Sequence, residues 1–181
     1  MIYFIRHGLT DWNEYINEKG VKSPKCQGRA DIPLNQNGIN QAHEAAKQLC
    51  GIKFDKVFCS PLTRAKQTCE IILGNLDNVI IDERIIERDF GEFEGLTKDE
   101  FDFLDFCNNT HENKYKAETI QSIHDRVFEF LDELKQYADE NILIVSHGGV
   151  GGMFLKYFDD KHKDNDTHFI VPHGEPIIRS F

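Results

Sequence analysis

Short apolar runs alternate with amphipathic stretches along this chain, and the alternation predicts its layers. Ile2 to Ile5 is a run of β-formers, and Val57-Phe58-Cys59 is a second buried strand ended by Ser60-Pro61. Val79 to Ile81 and Ile142-Leu143-Ile144-Val145 are a third and a fourth. Helical patterns lie between them. Ile39, Ala42, Ala46 and Leu49 share one face of a helix, another helix runs from about Leu62 to Leu73, and Ile123, Val127, Phe130, Leu134 and Tyr137 mark the longest. Residues 19–35, with Gly20, Pro24, Gly28 and Pro33, predict a long loop. Apolar strands interleaved with helices predict a mainly parallel sheet covered on both faces, a three-layer α/β/α sandwich. No repeat, low-complexity tract or linker divides the 181 residues, so a single domain over 1–181 is expected.

Composition narrows the function. With 40% apolar and 29% charged residues, the chain is neither disordered nor fibrous. No apolar run approaches the roughly 18 residues of a membrane span, and Arg6 interrupts the N-terminal run, so that run does not read as a secretory segment. Lys and Arg total 21 against 31 Asp and Glu, a formal charge of −10 that argues against nucleic-acid and anionic-membrane partners. An anion site must gather the few arginines, seven in all: Arg6, Arg29, Arg64, Arg84, Arg88, Arg126 and Arg179. Five scattered cysteines without a C-x-x-C spacing suit a reducing cytoplasm better than a disulfide framework or a zinc site, and no metal or cofactor is expected. Residues 99–118 hold Asp99, Glu100, Asp102, Asp105, Glu112 and Glu118 against Lys114 and Lys116. They read either as an inserted acidic flap or as a solvated surface excursion.

The polar clusters fall at strand ends. Arg6-His7-Gly8 follows the first strand, Arg64 lies just past the second, Glu87 after the third, and Ser146-His147-Gly148 ends the fourth. If the strands are parallel, these groups share the rim where open α/β sheets bind ligands. Two arginines match a phosphoryl dianion through charge-assisted hydrogen bonds. A neutral imidazole can attack phosphorus, and a carboxyl can protonate the leaving oxygen and later activate water.

At these residues the chain resembles the histidine phosphatase superfamily, also called phosphoglycerate mutase-like. The resemblance is carried by Phe4-Ile5-Arg6-His7-Gly8 with Thr10-Asp11-Trp12-Asn13, and by Cys26-Gln27-Gly28-Arg29-Ala30-Asp31-Ile32-Pro33-Leu34. Asn37-Gly38 with Gln41-Ala42, Ser60-Pro61-Leu62-Thr63-Arg64-Ala65-Lys66-Gln67-Thr68, Glu87 to Gly95 and Ser146-His147-Gly148-Gly149 continue it in the family's order. It implies His7 as the phosphorylated nucleophile, Arg6 and Arg64 as the phosphoryl clamp, His147 as a stabilising donor and Glu87 as the proton donor. Asn13 and the Gly148 backbone would add donors to the phosphate, with Gln27 and Gly28 among the substrate-binding residues. Ser60 and Thr10 would orient neighbours. Arg88 and Lys98 stand where the mutases carry an E-R pair and a following lysine, and are candidate substrate ligands. His43, His111, His124, His162, His168 and His173 read as ordinary surface histidines, and Glu92 and Glu94 as a solvated loop edge.

The resemblance implies a metal-independent phosphomonoesterase that works through a phosphohistidine on a small phosphorylated metabolite. A cofactor-dependent phosphoglycerate mutase is the alternative, and a phospho-ligand sensor without turnover is a third reading. Monomer and homodimer are both open. If the acidic flap covers the pocket, its charge should favour monophosphates of neutral or cationic alcohols over bisphosphates and phospho-carboxylates.

Overall fold

The computed structural model describes residues 1–108, 114–159 and 171–181; His111, Glu112, His162 and His168 lie outside them. Five strands form one sheet: β1 (Ile2–Arg6), β2 (Lys56–Cys59), β3 (Val79–Ile81), β4 (Ile142–Ser146) and β5 (Pro176–Arg179). Their order is β3-β2-β4-β1-β5, with β1 to β4 parallel and β5 antiparallel beside β1. The helices are α1 (Gln36–Gln48), α2 (Thr63–Leu73), α3 (Phe103–Cys107), α4 (Ile120–Leu134) and α5 (Gly148–Phe158). Among the described residues, no helix is long and apolar enough to cross a membrane.

Alternation along β4 shows why the layers form. Ile142 and Ile144 enter a core with Val127, Phe130 and Leu134 of α4 and Phe154 of α5. Leu143 and Val145 enter the opposite core with Ala45 and Leu49, on the α1 side, and Ala65 and Cys69 of α2. Side chains along a strand point alternately to its two faces, so a run apolar at every position demands cover on both. This is the α/β/α sandwich that the periodicity predicts. The pattern does not reveal β5, whose Pro176-Ile177-Ile178-Arg179 is too short for a period. Proline is tolerated there because it opens an edge strand.

Two local devices bring the loops to the rim. Gly8 and Gly38 press backbone on backbone, and a Cβ on Gly8 would lie 2.3 Å from the Gly38 carbonyl oxygen. The start of α1, capped by Asn35, therefore abuts the loop after β1. Asp31 reaches the first turn of α2, accepting from the Thr63 N–H and hydroxyl at 2.7 Å each. A carboxylate at a helix N-terminus satisfies an otherwise orphaned donor, and here it pins the 26–34 loop against α2.

Candidate active site

Four parallel strands deliver their C-terminal residues to one cavity of about 330 Å³, lined on that side by Arg6, His7, Arg64, Glu87 and Gly148. His7 is buried, and its Nδ1 sits 2.6 Å from the Gly8 carbonyl oxygen. A carbonyl only accepts, so Nδ1 carries the proton and the lone pair is on Nε2. Arg64 Nε donates to that lone pair at 3.2 Å. Burial, then the adjacent His147, Arg64 and Arg6, holds the His7 pKa well below its ordinary value, so the ring is neutral.

Arg64 is almost wholly buried, at 1% exposure. Its other bonds run to the Ala30 and Gly28 carbonyls at 2.7 Å each, which leaves two of its five N–H donors for a ligand. Thr68 braces the same corner, accepting from Gly8 N–H at 3.1 Å and donating to the Arg64 carbonyl at 2.8 Å. Arg6 donates to the Val171 carbonyl at 2.8 Å, but its buried Nε has no partner. Burial brings its pKa down to about 10, with Glu87 opposing and Arg64 adding to the shift. Gly148 makes room for this guanidinium: a Cβ there would lie 3.1 Å from Arg6 Cζ.

His147 packs behind His7, ring centroids 5.1 Å apart, and does not itself line the cavity. Its Nε2 lies 2.6 Å from Ser60 Oγ, which also accepts from Leu62 N–H at 3.4 Å. The hydroxyl and Nε2 share one hydrogen bond whose direction follows the ring's tautomer, and Nδ1 is buried without a partner. Burial, Arg64 and Arg6 hold this ring neutral too. The unpartnered Nε–H of Arg6, beside Arg64, makes an electropositive corner suited to an anion.

Glu87 completes the rim. Its Oε1 accepts from Arg88 N–H at 2.9 Å, and Gly149 N–H at the start of α5 lies 3.1 Å from both carboxylate oxygens. A Cβ on Gly149 would stand 2.4 Å from Oε1, so only glycine allows this approach. Asn13 Oδ1 accepts from Thr10 N–H and Oγ1, both at 3.1 Å, and its amide NH₂ is the donor left over on the cavity wall. Gln27 and Gly28 also line the cavity, with Gln27 Oε1 buried and unpartnered.

The remaining candidates need revision. Arg88 borders the cavity, but its guanidinium donates to the Glu118 and Phe106 carbonyls at 2.8 and 3.0 Å, which binds the flap to the rim. Lys98 is exposed at the cavity edge, its Nζ 4.2 Å from the centre of the Phe103 ring. Glu94 is no free loop edge, because it accepts from Arg29 N–H at 2.6 Å. Among the described residues, no flap acid lines the cavity. Glu100 closes a capping box with Thr97, Asp102 caps α3, Asp105 pairs with Lys114, and Asp99 accepts from Ser23 at 3.4 Å. Local helix ends compete for short acidic side chains, and here they win. The flap instead presents Phe103 and Phe106 to the cavity.

His173 was read as a surface residue and is not one. Its Nδ1 donates to the His7 carbonyl at 2.7 Å, and its ring stands edge-on to His7 at 5.2 Å. Gly174 N–H adds a bond to the Arg6 carbonyl at 2.9 Å. Burial and the nearby Arg6 lower the His173 pKa to about 4. The signal in the sequence was the short segment leading into β5, too weak to read alone.

Positive groups around a neutral imidazole, at the C-terminal rim of a parallel sheet, define an enzyme that handles phosphoryl groups. Comparison with known proteins agrees with that class. The chain belongs to the histidine phosphatase superfamily (branch 1), whose family model matches residues 2–177. It is 36% identical over 149 residues to the uncharacterized phosphatase PhoE of Bacillus subtilis, spanning 81% of this chain and 71% of that protein. The crystal structure of the alpha-ribazole phosphatase from Shigella flexneri superposes with a TM-score of 0.75 at 30% identity, over 96% of this chain and 86% of that one. A 2,3-bisphosphoglycerate-dependent phosphoglycerate mutase of Actinobacillus succinogenes is 26% identical, over 98% of this chain and 92% of the mutase.

Proposed function

We propose that the chain is a phosphomonoesterase that works through phospho-His7, one domain over residues 1–181 acting in the cytoplasm on a small phosphorylated metabolite. The observation that carries this reading is the tautomer of His7, whose Nδ1–H is tied to Gly8 and whose Nε2 lone pair faces Arg64. Nε2 attacks phosphorus, the P–O bond to the alcohol breaks, and the Glu87 carboxyl gives its proton to the leaving oxygen. Water then attacks the phosphorus, the P–N bond breaks, and Glu87 takes the water's proton as inorganic phosphate leaves. Arg6, Arg64 and His147, rather than a metal ion, neutralise the charge on the transferring group. Five free thiols support a reducing compartment.

A mutase must hold a small phospho-carboxylate on charged side chains while the phosphoryl group returns. Arg88, one of the two residues that favour that reading, is engaged by two carbonyls. Hydrolysis of 4-nitrophenyl phosphate should persist in chelator and fall at least about a thousandfold in His7→Ala, with loss of acid-labile phosphate on the protein. Turnover that survives this substitution would overturn the mechanism. Interconversion of phosphoglycerates without phosphate release would move the chain to the mutases.

A further inference from the structure

Away from the phosphate corner the cavity changes character. Phe103 and Phe106 of α3, Phe90, Ile120 and Ile123 of α4, and Met153 of α5 form an apolar wall. Phe106 is a fixed part of it, 1% exposed, 4.8 Å from the Phe90 ring and covered by the Arg88 guanidinium at 4.1 Å. Phe103 and Ile120 are only partly buried and keep surface for a ligand. Three lysines line the same cavity: Lys25, Lys98 and Lys156. Lys98 was visible in the sequence resemblance, whereas Lys25 and Lys156 are brought there by the fold. None of the three forms an ion pair among the described residues, and Lys25 and Lys98 rest on the Tyr15 and Phe103 rings. Three ammonium groups with no direct carboxylate contact among the described residues, of which Lys25 feels the charge of Glu100, stand out in a chain of net charge −10.

We propose that this half of the cavity is the subsite for the leaving alcohol, and that the alcohol carries both an apolar body of aromatic size and a second anionic group. The inference rests on the phosphomonoesterase reading of the other half. A phosphate of a small polyol would leave water against the phenyl rings, where its hydroxyls find no partners, while a ring displaces that water. An apolar ester alone would leave the lysines unanswered. A substrate with both features satisfies both surfaces, and its second anion draws on ammonium groups that make no ion pair of their own among the described residues.

Phosphonates occupy the phosphate corner without being hydrolysed, so they separate this proposal from the one it rests on. Titration calorimetry would compare methylphosphonate, 1-naphthylmethylphosphonate and a ring-carboxylated form of the latter. The naphthyl compound should bind at least about tenfold tighter than the methyl one. The carboxylate should add about threefold at low salt, an advantage lost near about 0.5 M salt. Phe103→Ser and Ile120→Thr, both at partly exposed positions, should each shrink the naphthyl-to-methyl ratio. Lys25→Met combined with Lys156→Met should remove the advantage of the carboxylate.

Equal affinity for the methyl and naphthyl compounds would overturn the apolar subsite, and so would tighter binding of 2-carboxyethylphosphonate than of the naphthyl compound. A carboxylate advantage that survives both lysine substitutions would overturn the anion subsite. If the ratios hold while no ester is turned over, the subsite stands and the phosphatase reading falls. If aryl and glycerol phosphates are hydrolysed with equal kcat/KM and the phosphonates bind alike, the phosphatase stands and the subsite falls.

Discussion

Arg64 and Phe103 line the same cavity from different regions, and they are held by different means. Arg64 is fixed atom by atom, bonded to the Gly28 and Ala30 carbonyls and to His7. Phe103 sits on a helix of five residues capped by Asp102, and its ring has no hydrogen bond to fix it, only Phe106 at 6.3 Å, Phe101 at 6.0 Å and the Lys98 ammonium at 4.2 Å. Directional bonds place a charge to within a fraction of an ångström, which phosphoryl transfer requires. Apolar contacts are non-directional and tolerate a range of shapes, which suits a leaving group. On the proposed function, the Arg64 corner serves one geometry and the flap side a class of ligands.

Arg64→Lys should break the comparison most severely. One ammonium cannot reach both carbonyls and His7 together, so kcat/KM for an aryl phosphate should fall about 10²- to 10³-fold. A loss of less than about threefold would show that the fixed geometry is not needed. Gly149→Ala comes next. The added methyl displaces the Glu87 carboxyl and should lower kcat about 10- to 100-fold, most for esters with poor leaving groups. A uniform loss across leaving groups would argue against Glu87 as the acid.

His7, His147 and His173 are all held neutral by burial in the folded chain. Below about pH 6.5 the unfolded chain takes up protons that the folded site refuses. Their contribution is therefore complete above about pH 6.5 and is lost as the pH falls toward the lowered folded values. On the order of 1–2 kcal/mol per histidine should disappear by about pH 5, seen by calorimetry as a drop of several degrees in Tm. The window sharpens the comparison, because the flap contains none of these rings. His173 tests the corner further. His173→Ala should lower kcat about fivefold, and His173→Asn should restore most of it, since the Asn amide can replace Nδ1–H as donor to the His7 carbonyl. The Asn variant should also lose less Tm between pH 6.5 and pH 5 than the parent.

The smallest effect is expected on the flap. Asp102→Ala removes the side-chain acceptor for Asp105 N–H and should cost about 1 kcal/mol at most in urea unfolding. Selectivity between aryl and glycerol phosphates should change more than turnover of either. A change in turnover alone would tie the flap to the chemistry instead.

The local arrangement at the phosphate corner was legible because each part follows a strand. Arg6-His7, Arg64, Glu87 and Ser146-His147 were located from the ends of apolar runs, and parallel pairing made their convergence a matter of topology. His173 was not legible, because it reaches His7 through an antiparallel edge strand of four residues whose pairing depends on β1 being in place. The placement of the flap acids was not legible for a different reason. Composition counts charges but not where they point, and Asp99, Glu100, Asp102 and Asp105 have partners within their own turns or on adjoining loops.

The sequence by itself thus determined the layers, the strand ends and which polar groups stand there, because period and local propensity act over a few residues. Only the tertiary structure decided which of those groups met, which tautomer His7 holds, and that the flap turns phenyl rings to the cavity where its composition promised acid. Those outcomes depend on contacts between segments far apart in the chain, where burial and hydrogen-bond competition choose among side chains that composition alone treats as equal.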